Sequence, residues 1–157
     1  MYFWNTKALA HALVQQTLTK RDYKNYYLAA AVVVSAVYYY GMYSPYMDVR
    51  VIGVEAALTL LMMLWGIQRV YQANGGDEGR AFLNRVTALS FPILMQTTVA
   101  GIAFGGILLG IYQYFNLANT AFDLFYEWCI SAFTLALQLL FFTRLSRYMQ
   151  RVKDASI

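Results

Sequence analysis

Apolar residues fall into four long runs separated by short polar breaks. A bilayer core about 30 Å thick is crossed by roughly 20 mostly apolar helical residues, and four segments approach or exceed that length. The first, 26–43, reads YYLAAAVVVSAVYYYGMY and stops where Ser44-Pro45 disfavours continuation. The second, 51–71, reads VIGVEAALTLLMMLWGIQRVY and closes at Asn74-Gly75-Gly76, a helix-stop pattern. The third, 86–112, carries Pro92, which predicts a kink near one end. The fourth spans 124–144. Segment 72–85 is then a loop, although Phe82, Leu83 and Val86 recur at helical spacing and predict that the third helix projects a turn or two beyond the bilayer.

Ahead of the first run, residues 1–22 contain an amphipathic stretch, with Leu9, Leu13 and the Tyr2-Phe3-Trp4 cluster beside Lys7 and His11. This pattern predicts an interfacial helix lying along the membrane surface. Thr19 and Asp22 have capping-box spacing, a start signal for the helix that becomes the first span. The N-terminal stretch lacks the apolar core and small-residue cleavage site of a secretory signal, so the first span is expected to act as an uncleaved insertion signal.

Basic residues orient the runs. Lys7, Lys20, Arg21 and Lys24 precede the first; Arg69, Arg80 and Arg85 fall between the second and third; Arg144, Arg147, Arg151 and Lys153 follow the fourth. Only Arg50 of the twelve lies in an outer loop. The positive-inside rule therefore places both termini and the middle loop in the cytoplasm of what is expected to be a bacterial inner membrane. Tyrosine and tryptophan mark both boundaries: Trp4, Tyr23, Tyr26, Tyr27, Tyr71 and Tyr148 inside, and Tyr38 to Tyr40, Tyr43, Tyr46, Tyr112, Tyr114, Tyr126 and Trp128 outside.

Composition narrows the functional classes. The 157 residues are 60% hydrophobic and 13% charged, and the net charge of +4 is dispersed over helix ends. That dispersal argues against nucleic acid. A single cysteine, Cys129, and a single histidine, His11, exclude a disulfide framework and a multi-histidine metal centre. We read Cys129 as a packing residue, His11 as interfacial, and Met62 and Met63 as gap-filling. No cofactor is expected.

Two intramembrane carboxylates, Glu55 and Glu127, are the groups costly enough to mark as functional candidates. At 100° per residue Asp123, Glu127, Ser131, Thr134 and Gln138 share one face of the fourth helix as a polar seam, followed inward by Phe141, Phe142 and Leu145. One reading is an acidic outer vestibule leading to a hydrophobic constriction. The other is a set of interhelical hydrogen bonds, which is commonplace in membranes and is favoured. Acid-base catalysis by the carboxylates would need partner groups that the chain lacks. Gln96, Thr97 and Thr98 are expected to satisfy backbone freed by Pro92. The loop NGGDEGR has no phosphate-loop pattern. Its GGDE echoes diguanylate cyclases, but the soluble domain that gives that motif its meaning has no room between two spans.

The third run contains AGIAFGGILLG, with Gly101, Gly105, Gly106 and Gly110 spaced as two G-x-x-x-G pairs. In lipid such glycines allow close helix approach. With Gly101 at 0°, Gly105 falls at about 40°, Gly106 at about 140° and Gly110 at about 180°, giving grooves on two faces. We expect an all-α membrane protein of one domain: a four-transmembrane-helix bundle with an N-terminal amphipathic interfacial helix. Its expected role is non-enzymatic, self-assembling or serving as the membrane subunit of a defence, immunity or secretion complex through span three and the cytoplasmic loop. The alternative is an oligomeric ion channel or small-solute transporter; a lipid-modifying enzyme ranks below both.

Overall fold

The structure, a computed structural model, describes residues 2–42, 48–114 and 120–155. It is all helical over those residues. The elements are α1 (Thr6–Val14), α2 (Lys20–Met42), α3 (Val49–Ala73), a 3-10 turn (Gly76–Glu78), α4 (Phe82–Tyr114) and α5 (Thr120–Asp154). Ser44-Pro45, Tyr43 and Tyr46 lie outside the described residues, as do the side chains of Tyr38, Tyr39 and Tyr40.

Three helices, α3, α4 and α5, are long and apolar enough to cross a membrane. Within their most apolar stretches only 11%, 6% and 6% of the residues are buried inside the protein, as expected for surfaces solvated by lipid. The expected first span falls short of that measure. Its tyrosines, with Lys20, Arg21, Asp22 and Lys24 at its head, dilute the apolar run of Leu28 to Val34.

Helix starts follow local chemistry. Asn5 caps α1 by accepting from the Ala8 amide at 3.0 Å. Asp22 accepts from the Thr19 amide at 2.9 Å and hydroxyl at 2.6 Å, while the Asp22 amide donates back to Thr19 Oγ1 at 3.3 Å. This reciprocal capping box opens α2. Asp48 caps α3 through the Arg50 amide at 2.7 Å.

The loop assigned to 72–85 is shorter than expected, because α3 continues to Ala73 and α4 begins at Phe82. Asn74 organises the turn between them. It is 1% exposed, receives Arg85 Nη1 on Oδ1 at 3.2 Å and donates to the Arg80 carbonyl at 3.4 Å. Gly75, with φ +108°, supplies the left-handed step that ends α3. Within the loop Gly76–Glu78 form one 3-10 turn, tied down by the Tyr71 hydroxyl donating to Asp77.

The four long helices are ordered by their packed pairs as α3, α5, α4, α2. A closed bundle would also require extensive packing of α2 on α3, and the described residues show none. The expected four-helix bundle is therefore an open row. In water such a row would leave apolar faces wet, whereas in lipid no hydrophobic force closes it.

At one end the row is capped by a compact headpiece. Helices α4 and α5, with 33 and 35 residues, extend about 50 Å, some 20 Å more than a bilayer core. Their overhanging ends pack with α1 around Leu9, Leu13, Tyr26, Val70, Ala88, Leu89, Phe91, Met149 and Val152. Helix α1 packs on these ends through its apolar face. Its entry is fixed by Gln96, which donates to the Trp4 carbonyl at 2.8 Å and accepts from Arg144 Nη1 at 2.7 Å. Its last residue, Val14, lines the same cleft as Ala155. From Arg144 to Ala155 is about 16 Å of helix, matching the roughly 14 Å of nine residues, so α1 runs alongside α5. Its apolar face, with Leu9 at 0% and Leu13 at 5% exposure, is covered by protein. The Tyr2-Phe3-Trp4 segment before it is exposed.

Candidate functional site

Between the headpiece and the far end, α3 and α5 run parallel and carry most of the polar side chains expected in the seam. The Asp48 amide donates to Glu127 Oε2 at 2.8 Å, Ser131 Oγ donates to Glu55 Oε2 at 2.5 Å, and Gln138 Nε2 donates to the Thr59 carbonyl at 3.3 Å. These partners are separated by 79, 76 and 79 residues, so one register holds along the pair. Further inward the Phe142 ring sits where a side chain on Gly66 would be: a Cβ there would lie 2.2 Å from the ring. Three polar rungs and one aromatic knob thus fix the two helices against sliding and rotation.

The remaining seam residues diverge. Asp123 turns toward α4 and accepts from the Tyr112 hydroxyl at 2.9 Å. Thr134 is exposed, and Ser131 is 2% exposed between α3 and α5. Phe142 and Leu145 belong to the headpiece core and Phe141 packs against it. Glu55 and Glu127 are partly buried, on different helices, each engaged by the neighbouring helix or its cap. Among the described residues no buried side-chain nitrogen or oxygen lacks a hydrogen-bond partner. An unmet buried donor or acceptor would have marked a place for a polar ligand.

On α4 the glycines divide. A Cβ on Gly101 would meet Leu137 of α5 at 3.5 Å, an ordinary contact, and the Phe104 and Phe133 rings stack one turn away at 3.8 Å. Gly105, Gly106 and Gly110 have nothing within 4 Å of the same position. The first groove is thus shared with α5 at one end, and the second faces outward.

Near Pro92, the hydroxyl of Thr97 donates to the carbonyls of Ile93 and Leu94 at 3.1 and 3.0 Å. Gln96 bridges Trp4 and Arg144. Neither side chain serves the Ala88 carbonyl, the group whose helical donor proline removes, so that part of the expectation is corrected. Cys129 and Met62 are partly buried, while Met63 and His11 are exposed.

Sequence reasoning missed the register between α3 and α5. The signal was present: Gly66 and Phe142 stand seven residues beyond Thr59 and four beyond Gln138, close to whole helical turns on the faces that carry the polar rungs. The continuation of α5 was legible too, in Leu145, Met149 and Val152 at helical spacing. Comparison with known proteins adds no assignment, since no family model, curated protein or solved structure matches this chain.

Proposed function

We propose that this chain is a small, non-enzymatic polytopic inner-membrane protein that assembles with itself or serves as the membrane subunit of a larger complex. The observation that carries the reading is the second glycine groove of α4, where Gly106 and Gly110 are exposed and stand beside open space. Such a face allows close approach of another helix backbone. Defence, immunity and secretion assemblies are compatible settings.

Four crossings with both termini in the cytoplasm belong to the same proposal. Tyr26 near the start of α2 lies 5.9 Å from Phe91 near the start of α4, ring to ring, and α2 packs along α4. Beyond Tyr26, α2 continues for 16 residues to Met42, about 24 Å and most of the hydrocarbon thickness beside α4. Basic residues at the headpiece end support the orientation. The channel alternative draws weaker support, because Glu55, Glu127 and Gln138 are engaged in the α3–α5 pairing.

Affinity purification in mild detergent, followed by mass spectrometry of partners and native mass measurement, tests the assembly. A defined oligomer or a stoichiometric partner is expected; a monomer with no partner refutes it. A reporter fused after Ile157 should be active in the cytoplasm, and activity only outside would invert the topology.

A further inference from the structure

A second polar feature lies outside the seam, in a cleft of about 410 Å³ between α1 and the last turns of α5. Its volume is within the range of small-ligand sites. Lys7 and His11 stand one turn apart on α1, opposite Arg151 and Tyr148 on α5, with Ala10 and Val152 as apolar lining. Arg151 is held over the Tyr148 ring, its guanidinium carbon 5.4 Å from the centroid, which orients the group without neutralising it. No carboxylate lines the cleft among the described residues. Two cations, one of them oriented, and an imidazole around an apolar lining suit a compact anion attached to something less polar.

The position of the cleft narrows that anion. Arg144, tied to Gln96 and through it to Trp4, marks the end of the apolar part of α5. Tyr148 and Arg151 follow by four and seven residues, about 6 and 10 Å along the helix. A headgroup layer is roughly 6 Å thick on each side of the hydrocarbon. Tyr148 therefore falls at the outer edge of the headgroup layer and Arg151 about 4 Å beyond it, which puts the cleft mouth at the boundary between headgroups and water, with Trp4 tied at the level of Arg144. We propose that the cleft binds the phosphate of an anionic phospholipid headgroup, with Lys7 and Arg151 as the principal donors and His11 completing the rim. Basic pockets at this depth recognise anionic headgroups, and the amine of a zwitterionic lipid is repelled by the same cations. The choice of the inner leaflet rests on the topology proposed above; phosphate recognition itself does not.

Purified full-length protein, delipidated in neutral detergent, is offered equal amounts of phosphatidylglycerol and phosphatidylcholine, and retained lipid is read by native mass spectrometry. Wild type should prefer phosphatidylglycerol by roughly tenfold or more, and Lys7→Glu with Arg151→Glu should abolish the preference. Arg80→Glu, in the turn before α4, should leave it unchanged. If the double variant loses helicity, Lys7→Gln with Arg151→Gln provides the same comparison at lower cost to folding. Equal retention of the two lipids by wild type, or an undiminished preference in the folded glutamine pair, overturns the proposal. Millimolar inorganic phosphate should displace the lipid in competition; phosphate binding with no lipid preference would assign the cleft to a soluble anion and also overturn it. Because detergent removes membrane sidedness, a misplaced reporter would move the site to the other leaflet without changing these results.

Discussion

Two glycines in one helix have opposite consequences because of what surrounds them. Gly53 has nothing within 4 Å of a prospective Cβ, whereas Gly66 faces the Phe142 ring at 2.2 Å. Alanine at Gly53 should stabilise α3 by about 0.5–1 kcal/mol through helix propensity. At Gly66 the same change should destabilise by about 1–3 kcal/mol through overpacking, with partial recovery in Phe142→Leu. Thermal unfolding in detergent checks the sign of each. Glu55 and Ser131 form a rung whose worth a double-mutant cycle of Glu55→Gln and Ser131→Ala would measure. Coupling of about 0.6 kcal/mol, rising to at most about 1.7 kcal/mol, is expected from interhelical bonds in membranes; absence of coupling would remove the rung from the account. Asp22 provides a test outside the spans. The hydroxyl and amide of Thr19 bond to its carboxylate and hold its pKa below the ordinary value. A lowered folded pKa means that its contribution is present above the unfolded pKa and is lost as pH falls through the folded one. Amide exchange at the start of α2 should therefore be slower in wild type than in Asp22→Ala at neutral pH, and the gap should narrow in acid.

At the level of elements, α1 separates what sequence pattern conveys from what it omits. An apolar stripe with a charged opposite face was legible in Leu9, Leu13, Lys7 and His11, but a stripe is equally suited to lipid and to protein. The partner is decided by the overhang of α4 and α5, whose Leu89, Met149 and Val152 cover it. Overhang was legible for α4 from Phe82, Leu83 and Val86, and missed for α5, whose span was expected to end at Arg144. Arg144, Arg147 and Arg151 occupy the outer side of a helix whose inner side is Leu145, Met149 and Val152, two of them fully buried. The polar seam shows the same division. Helical projection grouped Asp123 with Glu127 and Ser131, yet Tyr112 of α4 engages the first and α3 the others, because an 80° arc is wide enough to meet two neighbours. A prediction follows for the headpiece. Leu9→Ala should cost about 2–5 kcal/mol and raise hydrogen exchange throughout α1, while the central turns of α3 and α5 retain their protection. Equal loss of protection across all helices would mean that headpiece and spans unfold as one unit, contrary to the separation of their packing.

For the molecule as a whole, the open row and the headpiece divide the work of stability. The headpiece buries its apolar side chains against one another, as the hydrophobic effect favours wherever water reaches it. The spanning halves have no such force between them and rely on polar rungs, ring stacking and close packing. A row has two faces, and lipid can cover both as readily as protein can. What favours a protein neighbour on α4 is the shape of its surface: Gly106 and Gly110, about one turn apart, leave a shallow channel that a lipid chain fills loosely and a helix fills closely. Leucine at Gly106 distinguishes these occupants. No described atom lies within 4 Å of a Cβ at this position, and helix propensity favours leucine over glycine by somewhat under about 1 kcal/mol, so thermal stability in detergent should hold or rise. If a second chain or a partner lies in the channel, the same substitution should lower the native mass or release the partner, as it would at a close helix contact. Gly53→Leu on α3, also beside open space but isolated from other glycines, is the matched control and should leave the mass unchanged. A Gly106→Leu protein with raised stability and unaltered native mass would give the face to lipid and leave the assembly to be built elsewhere on the row.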